Sequence, residues 1–284
     1  MLTIVIPYKD RADYLPSTLA SLPEVPLVLV DNGSTDNSAD ICAQYAASHP
    51  DTLCLSCPTG GAAAARNAGL AAVRTEWVYF FDSDDLFEGG LVDFLKPHLT
   101  PDLDMICLPT RQGNGQRFST RAYRPTADPL HQILVSHLCT LSMVYRTDWL
   151  RSIGGWDSSV GVWDDWVLGL KALLHTPRLK WLTERAWHHI ILHPESQTGA
   201  CFSDRASGIF LALSKAEAHI RENGNDPRLL RAMQFRRAIT CGHLQYEGYH
   251  LPHSERPTGL LARLLMLYTR LGLRAAWRVA LALA

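Results

Sequence analysis

Asp82, Ser83, Asp84 and Asp85 put three carboxylates into four positions directly after the apolar run Trp77-Val78-Tyr79-Phe80-Phe81. Carboxylates crowded in this way repel one another, and a cation among them relieves the repulsion. Hard oxygen ligands suit Mg²⁺ or Mn²⁺, and Mg²⁺ usually shares its shell with substrate phosphates. The local alternative is a polar turn capping a helix that starts near Gly89. Other residues point to phosphate as well. Gly60-Gly61 opens an alanine-rich stretch, where free N–H groups and the helix dipole favour an anion. Arg66 follows about a turn and a half later, within reach of phosphate or sugar. Asp31 or Asn32 can accept the N3–H of a pyrimidine, and Tyr8 can stack on the base. Taken singly, each has a local explanation: a helix cap, a core tyrosine, a surface arginine.

These residues act together only if the chain gathers them. Leu2 to Pro7 is a β-branched run that predicts a first strand, stopped by Pro7, and a helix follows to about Leu22. Leu27 to Val30 predicts a second strand, Thr52 to Leu55 a third, and the run from Trp77 a fourth, buried on both faces. Helices to about Ala47 and Arg74 fall between them. Alternating strands and helices predict a mostly parallel, Rossmann-like sheet flanked by helices. Three strand ends, at Pro7, Asp31 and Phe81, then open on one edge, where α/β sheets bind ligands. The loops Tyr8 to Arg11, Asp31 to Asp36 and Asp82 to Asp85 meet there.

Four blocks carry a resemblance at this point: IVIPYKDRADYL (Ile4 to Leu15), VLVDNGSTDNS (Val28 to Ser38), GGAAAARNAGL (Gly60 to Leu70) and EWVYFFDSDD (Glu76 to Asp85). In order and spacing they resemble the family 2 inverting glycosyltransferases of the GT-A fold. The resemblance implies transfer of a sugar from a nucleotide-diphosphate donor, assisted by Mn²⁺ or Mg²⁺. Asp82, Ser83 and Asp84 match the family's DxD motif, which makes Asp84 a metal ligand and gives Asp82 the metal or the donor ribose. The implied nucleotide-sugar contacts are Pro7, Tyr8, Asp10, Arg11, Asp31, Asn32, Arg66, Asp82 and Ser83. Asn32 stands where the family often has a second aspartate; its amide oxygen still accepts N3–H but carries no charge. Uracil and thymine both remain open, and so does guanine.

In the second half, Met105 to Pro109 and Leu141 to Tyr145 predict strands. Arg111 to Arg124 reads as an excursion or a hairpin, and Asp148 to Ile153 as a short helix. The block GGWDSSVGVWDDWVLGLKAL resembles the family's acceptor-side motif. An acidic pair at a helix start is also favourable for local reasons. By the resemblance Asp165 is the general base that takes the acceptor hydroxyl's proton, and Asp164 stands where Glu is usual. Trp156, Trp163 and Trp166 become acceptor-stacking residues, some of which belong to the core. Trp187 to His193 predicts a strand. His193, at HxxS spacing from Ser196, is the implied metal-ligating histidine in preference to His188 and His189.

The resemblance implies a catalytic domain over residues 1–202, divided into a nucleotide-sugar half (1–100) and an acceptor half (101–202). A helical extension, 203–284, follows, with helices expected near 203–222 and 227–242. From Pro257 to Ala284 there is no acid. Arg263, Arg270, Arg274 and Arg278 fall within about 80° on one continuous helix, with Trp277 and Tyr268 as interfacial anchors. That pattern suits the inner face of an anionic membrane beside a lipid-linked glycan acceptor, or packing on protein. A formal net charge of −1 argues against a nucleic-acid partner. Seven cysteines in 284 residues do not make a disulfide framework, and Cys54 and Cys57 read as strand-end thiols. The N-terminal run lacks a basic region and a long apolar core, which points to a cytoplasmic protein without a signal peptide. The expected function is a step of surface polysaccharide biosynthesis. A sugar-nucleotide nucleotidyltransferase would want a glycine-rich loop after the first strand, and Tyr8 to Arg11 has none. A non-catalytic nucleotide-sugar-binding partner subunit would not need Asp84 and Asp165 together.

Overall fold

Thr3-Ile4-Val5-Ile6 has the β-branched content that favours a pleated, buried surface, and it lies inside the main sheet with a strand on either side. The computed structural model describes residues 1–58, 60–114, 116–121, 123–192, 201–273 and 276–284. In chain order the elements begin with β1 (Leu2–Tyr8), α1 (Leu15–Ser21), β2 (Leu27–Asp31), α2 (Ser38–Ser48), β3 (Thr52–Ser56), α3 (Gly61–Ala72) and β4 (Trp77–Phe80). Next come β5 (Leu86–Phe87), α4 (Leu91–Leu95), β6 (Met105–Cys107), β7 (Arg111–Gly113), β8 (Phe118–Thr120), α5 (Pro129–Val135), β9 (Met143–Arg146) and α6 (Thr147–Ser152). Then follow α7 (Asp164–Leu174), β10 (Leu179–Trp181), β11 (His188–Ile191), α8 (Ala206–Glu222), α9 (Pro227–Tyr246), α10 (Leu260–Arg270) and α11 (Ala276–Leu283).

The chain divides into two compact units. The first comprises Met1–Arg121, Leu138–Gly161 and Pro177–His193. Its main sheet has the order β10-β6-β9-β4-β1-β2-β3. Neighbours are parallel except for β9, which runs antiparallel to both β4 and β6. The expected mostly parallel sheet is therefore present, with one reversed strand inside it. Pro7 does not stop β1. It pairs with Val30 of β2, and the β4 ladder has ended at Val5, so its missing N–H costs the sheet no bond. Leu2, Ile4, Ile6, Tyr8, Leu29, Tyr79, Phe81 and Leu91 belong to one apolar core. A smaller sheet, β5-β11-β7-β8, contains the expected hairpin as the antiparallel pair β7–β8.

The second unit comprises Ala122–His137, Val162–Thr176 and Pro194–Ala284. Its bounds differ from a cut after residue 202, because α5 and α7 pack with α8 and α9. Asp128 caps α5 by accepting from Leu130 N–H at 3.0 Å, and its carboxylate also receives Arg228 from α9 at 2.7 Å. The expected continuous C-terminal helix is two helices. Gly272, with φ +72°, sits in the left-handed conformation just past the end of α10. The single arginine stripe is accordingly broken, and Arg274 lies outside the described residues.

Candidate active site

The acid turn is held by its neighbours. Trp77 to Phe81 are all at most 1% exposed, so the strand feeding the turn is fixed in the core. The Thr18 hydroxyl of α1 lies 3.0 Å from the carbonyl oxygens of both Ser83 and Asp85. Asp85 turns inward, is 3% exposed, and accepts from Ile191 N–H of β11 at 2.8 Å. Burial pushes its carboxyl well above the usual carboxylate range, and the charges of Asp82 and Asp84 add to the shift. The outer two acids meet arginines. Arg66 Nη2 lies 2.7 Å from Asp82 Oδ1, and Arg11 Nε lies 3.4 Å from Asp84 Oδ2. Each of the outer two acids thus has an arginine beside it as counter-charge. Among the described residues no group of three or more His, Cys, Asp or Glu side chains gathers as a metal site. His193 lies outside the described residues.

Arg66 is itself built in. It sits on α3, is 6% exposed, and stacks over the Trp156 indole at 4.4 Å. Trp156 is 2% exposed and meets Phe80 edge-on at 5.2 Å. Asn67 fixes its backbone, donating to Trp156 O at 2.8 Å and accepting from Trp156 N–H at 3.0 Å. The expectation that Trp156 stacks on an acceptor is therefore corrected: its ring faces are used inside the protein, to support Arg66. Asn67 lies within the GGAAAARNAGL block, whose pattern does not reveal this backbone clamp.

The β1 and β2 strand ends lie side by side, with Tyr8 opposite Asp31. Asp10 Oδ1 accepts from Thr35 N–H at 2.7 Å, which holds its carboxyl below the usual range. Arg11 N–H donates to Ser38 Oγ at 2.8 Å, and Ala12 N–H to Asp36 Oδ2 at 3.0 Å. Asp10 thus ties two loops together. Asp31 Oδ1 accepts from Ser34 N–H at 3.0 Å, and Asn32 Nδ2 donates to Cys57 O at 2.5 Å. With its nitrogen engaged, the Asn32 amide presents its oxygen as the acceptor. Tyr8 is corrected from a base-stacking residue to a core residue. It is 4% exposed and packs against Cys42, and burial raises its phenol above the ordinary range. Alternation along Leu2, Ile4, Ile6 and Tyr8 carried that signal. At the start of α3, Gly60 and Gly61 have φ +91° and +73°, no side chain caps the helix, and a Cβ on Gly61 would meet nothing within 4 Å. Backbone donors there are accessible to an anion.

Asp164 and Asp165 lie in the second unit, at the start of α7. Each carboxylate accepts from the following N–H, Asp165 from Trp166 at 2.7 Å and Asp164 from Asp165 at 3.0 Å. Trp166 is 3% exposed, and its indole N–H donates to Gln132 O at 2.8 Å. Arg236 of α9 stacks over Trp163 at 4.6 Å and Trp166 at 5.5 Å, and burial lowers its guanidinium to about 10. Trp166 is corrected to a core residue. Trp163 is partly exposed and packs on Phe202 and Arg236. Nothing in the sequence tied Arg236 to these tryptophans.

Residues 3–154 match the family model described as Glycosyl transferase family 2. The chain is 26% identical over 197 residues to the minor teichoic acid biosynthesis protein GgaA of Bacillus subtilis, covering 63% of this chain and 44% of that one. It spans less than half the length of the curated relatives it matches, such as GgaA and, at 43%, the glycosyltransferase YibD of Escherichia coli. Among solved structures it resembles S. aureus TarS 1-349 in complex with UDP-GlcNAc, with TM-score 0.60, 16% identity, and coverage of 99% of this chain and 90% of that one. It also resembles the mannosyltransferase PcManGT of Pyrobaculum calidifontis in complex with GDP-Man and Mn²⁺, with TM-score 0.61, 17% identity, and coverage of 99% and 86%.

Proposed function

The chain belongs to glycosyl transferase family 2, and from that premise we propose that it transfers a sugar, with inversion, from a UDP- or dTDP-linked donor to a glycan hydroxyl. The observation that carries this reading is the gathering at one sheet edge of Asn32, the open start of α3, and the acid turn with its arginines. The Asn32 oxygen would accept N3–H of the base. Backbone donors at Gly60 and Gly61, with Arg11 and Arg66, would receive the diphosphate. As a donor set, Asp82 and Asp84 fit Mg²⁺ or Mn²⁺, because such ions take one or two carboxylates and complete their shell with phosphate. A bound ion of this kind supplies charge neutralisation on the departing diphosphate. Asp165 is the base. As the acceptor oxygen bonds to the anomeric carbon, its proton passes to the Asp165 carboxylate, and the electron pair of the broken bond leaves with the diphosphate oxygen. GgaA is a teichoic acid biosynthesis protein, which supports a glycan of the cell surface as the acceptor.

The test follows thermal unfolding with UDP-, dTDP- and GDP-sugars, each with and without Mn²⁺. A ligand at a hundred times its Kd stabilises by about 2.7 kcal/mol, a shift of several degrees. The expected result is a shift for a UDP- or dTDP-sugar only when Mn²⁺ is present, and its loss in Asp84→Asn. A shift with GDP-sugars alone overturns the choice of base, and no shift with any donor overturns the donor site. Asp165→Asn should keep the shift while transfer falls about 10²–10⁴-fold.

A further inference from the structure

α10 has two unlike faces. Ala262 and Leu265 are buried where α10 packs on α9, and Gly242 of α9 permits the close approach. A Cβ on Gly242 would stand 2.3 Å from the Met266 carbonyl oxygen. On the opposite side, Leu260, Leu264, Leu267 and the capping Leu271 fall within about 60° of one another on a 3.6-residue helix. They are 76%, 52%, 48% and 66% exposed. A contiguous leucine row in water marks an interaction surface.

The surroundings say which kind. Arg263 and Arg270 lie along one edge of the row, and residues 256–284 contain five arginines and no Asp or Glu. Arg270 also lines a cavity of about 230 Å³ with Arg256, His250, Tyr249 and Gln245, and no carboxylate lines it. Two-fold pairing of this face with a second copy would bring like charges together. An acidic, apolar-backed surface would satisfy both the leucines and the arginines. α10 has 11 residues, about 16 Å, too short to cross the roughly 30 Å of a bilayer core but suited to lying along it.

We propose that α10 docks on an anionic lipid surface, with its leucine row entering the acyl boundary and the Arg256–Arg270 cavity receiving a lipid phosphate. This surface is independent of the glycosyl-transfer reading, and its test needs no donor or acceptor.

The full chain is sedimented with vesicles of phosphatidylcholine alone or with added phosphatidylglycerol. The expected result is binding to the anionic vesicles that weakens with salt. Leu264→Ser/Leu267→Ser should lower the partition roughly 100-fold or more, since each leucine contributes about tenfold or more on leaving water. Arg256→Gln and Arg270→Gln should each lower it about fivefold on anionic vesicles. Far-UV circular dichroism shows whether each variant is folded, and the arginine pair decides if the leucine pair is not. Wild-type protein that ignores anionic vesicles overturns the proposal, as do leucine variants that bind like wild type. Release by millimolar inorganic phosphate overturns it too, because the site is then one for free phosphate. Light scattering showing an oligomer that the leucine variant turns into a monomer would assign the face to protein instead.

Discussion

Arg66→Met removes a charge that the structure has enclosed. The guanidinium makes a 2.7 Å contact with Asp82 while only 8% of its side chain is exposed, against 30% for Asp82. A hydrogen bond to a charged group contributes about 1.5–3 kcal/mol net, and the guanidinium over the Trp156 indole adds about 0.5–2 kcal/mol. Methionine keeps most of the stem and needs no desolvation, so the single substitution understates the contact. The double-mutant cycle with Asp82→Asn isolates it. Partial exposure of Asp82 places the coupling near the low end, about 1.5–2 kcal/mol. At about 2–4 °C per kcal/mol, that is a non-additive Tm difference of roughly 3–8 °C. Urea and thermal unfolding of wild type, both single variants and the double variant measure it. A coupling below about 0.5 kcal/mol would falsify the view that Arg66 holds the first acid of the turn. Trp156→Leu should reduce the same coupling, because the indole is what the guanidinium rests on, whereas Trp156→Phe should retain most of it.

Asp85→Asn keeps an acceptor for Ile191 N–H without a buried charge, and should be neutral or stabilising in urea unfolding; Asp85→Ala strands the N–H and should cost about 1–3 kcal/mol. His137 is 4% exposed, and burial, aided by the charge of His131, lowers it from 6.5 to about 4. Below pH 6.5 the unfolded chain gains a proton that the folded chain refuses, so stability is fully present above that pH and falls until about pH 4. The loss is on the order of 3 kcal/mol, and His137→Leu should remove that part of the acid slope; equal slopes between pH 7 and 4.5 would count against it. Gly242→Ala places a methyl 2.3 Å from the Met266 carbonyl and should cost about 1–3 kcal/mol as α9 and α10 separate, read as a lowered Tm with secondary structure retained.

The tips of β1, β2 and β4 were legible because short apolar runs ended in polar turns, and parallel crossovers leave such ends on one edge. The direction of β9 was not, since Met143–Arg146 has the same apolar pattern whichever way it runs. Asp128-Pro129 carries a cap and a first-turn proline for α5, a signal the sequence does contain. Trp156 and Trp166 mislead for another reason. An indole has the same composition at a surface and under a guanidinium, and the arginines that cover them are 90 positions earlier, at Arg66, and 70 later, at Arg236. Crowding among the acids was legible, but its relief by Arg11 and Arg66 required knowing which loops touch. The arginine stripe of the tail failed at Gly272, where the backbone leaves the helix.

One hydroxyl sets the shape of the acid turn. Thr18 has a single hydrogen to divide between the carbonyls of Ser83 and Asp85, and it ties the first helix to the turn at both. Under the proposed function, a turn already held in this shape would need none of the donor's affinity to assemble it. Valine at that position would fill the same volume and withdraw the shared hydrogen, leaving both carbonyls of the turn without it.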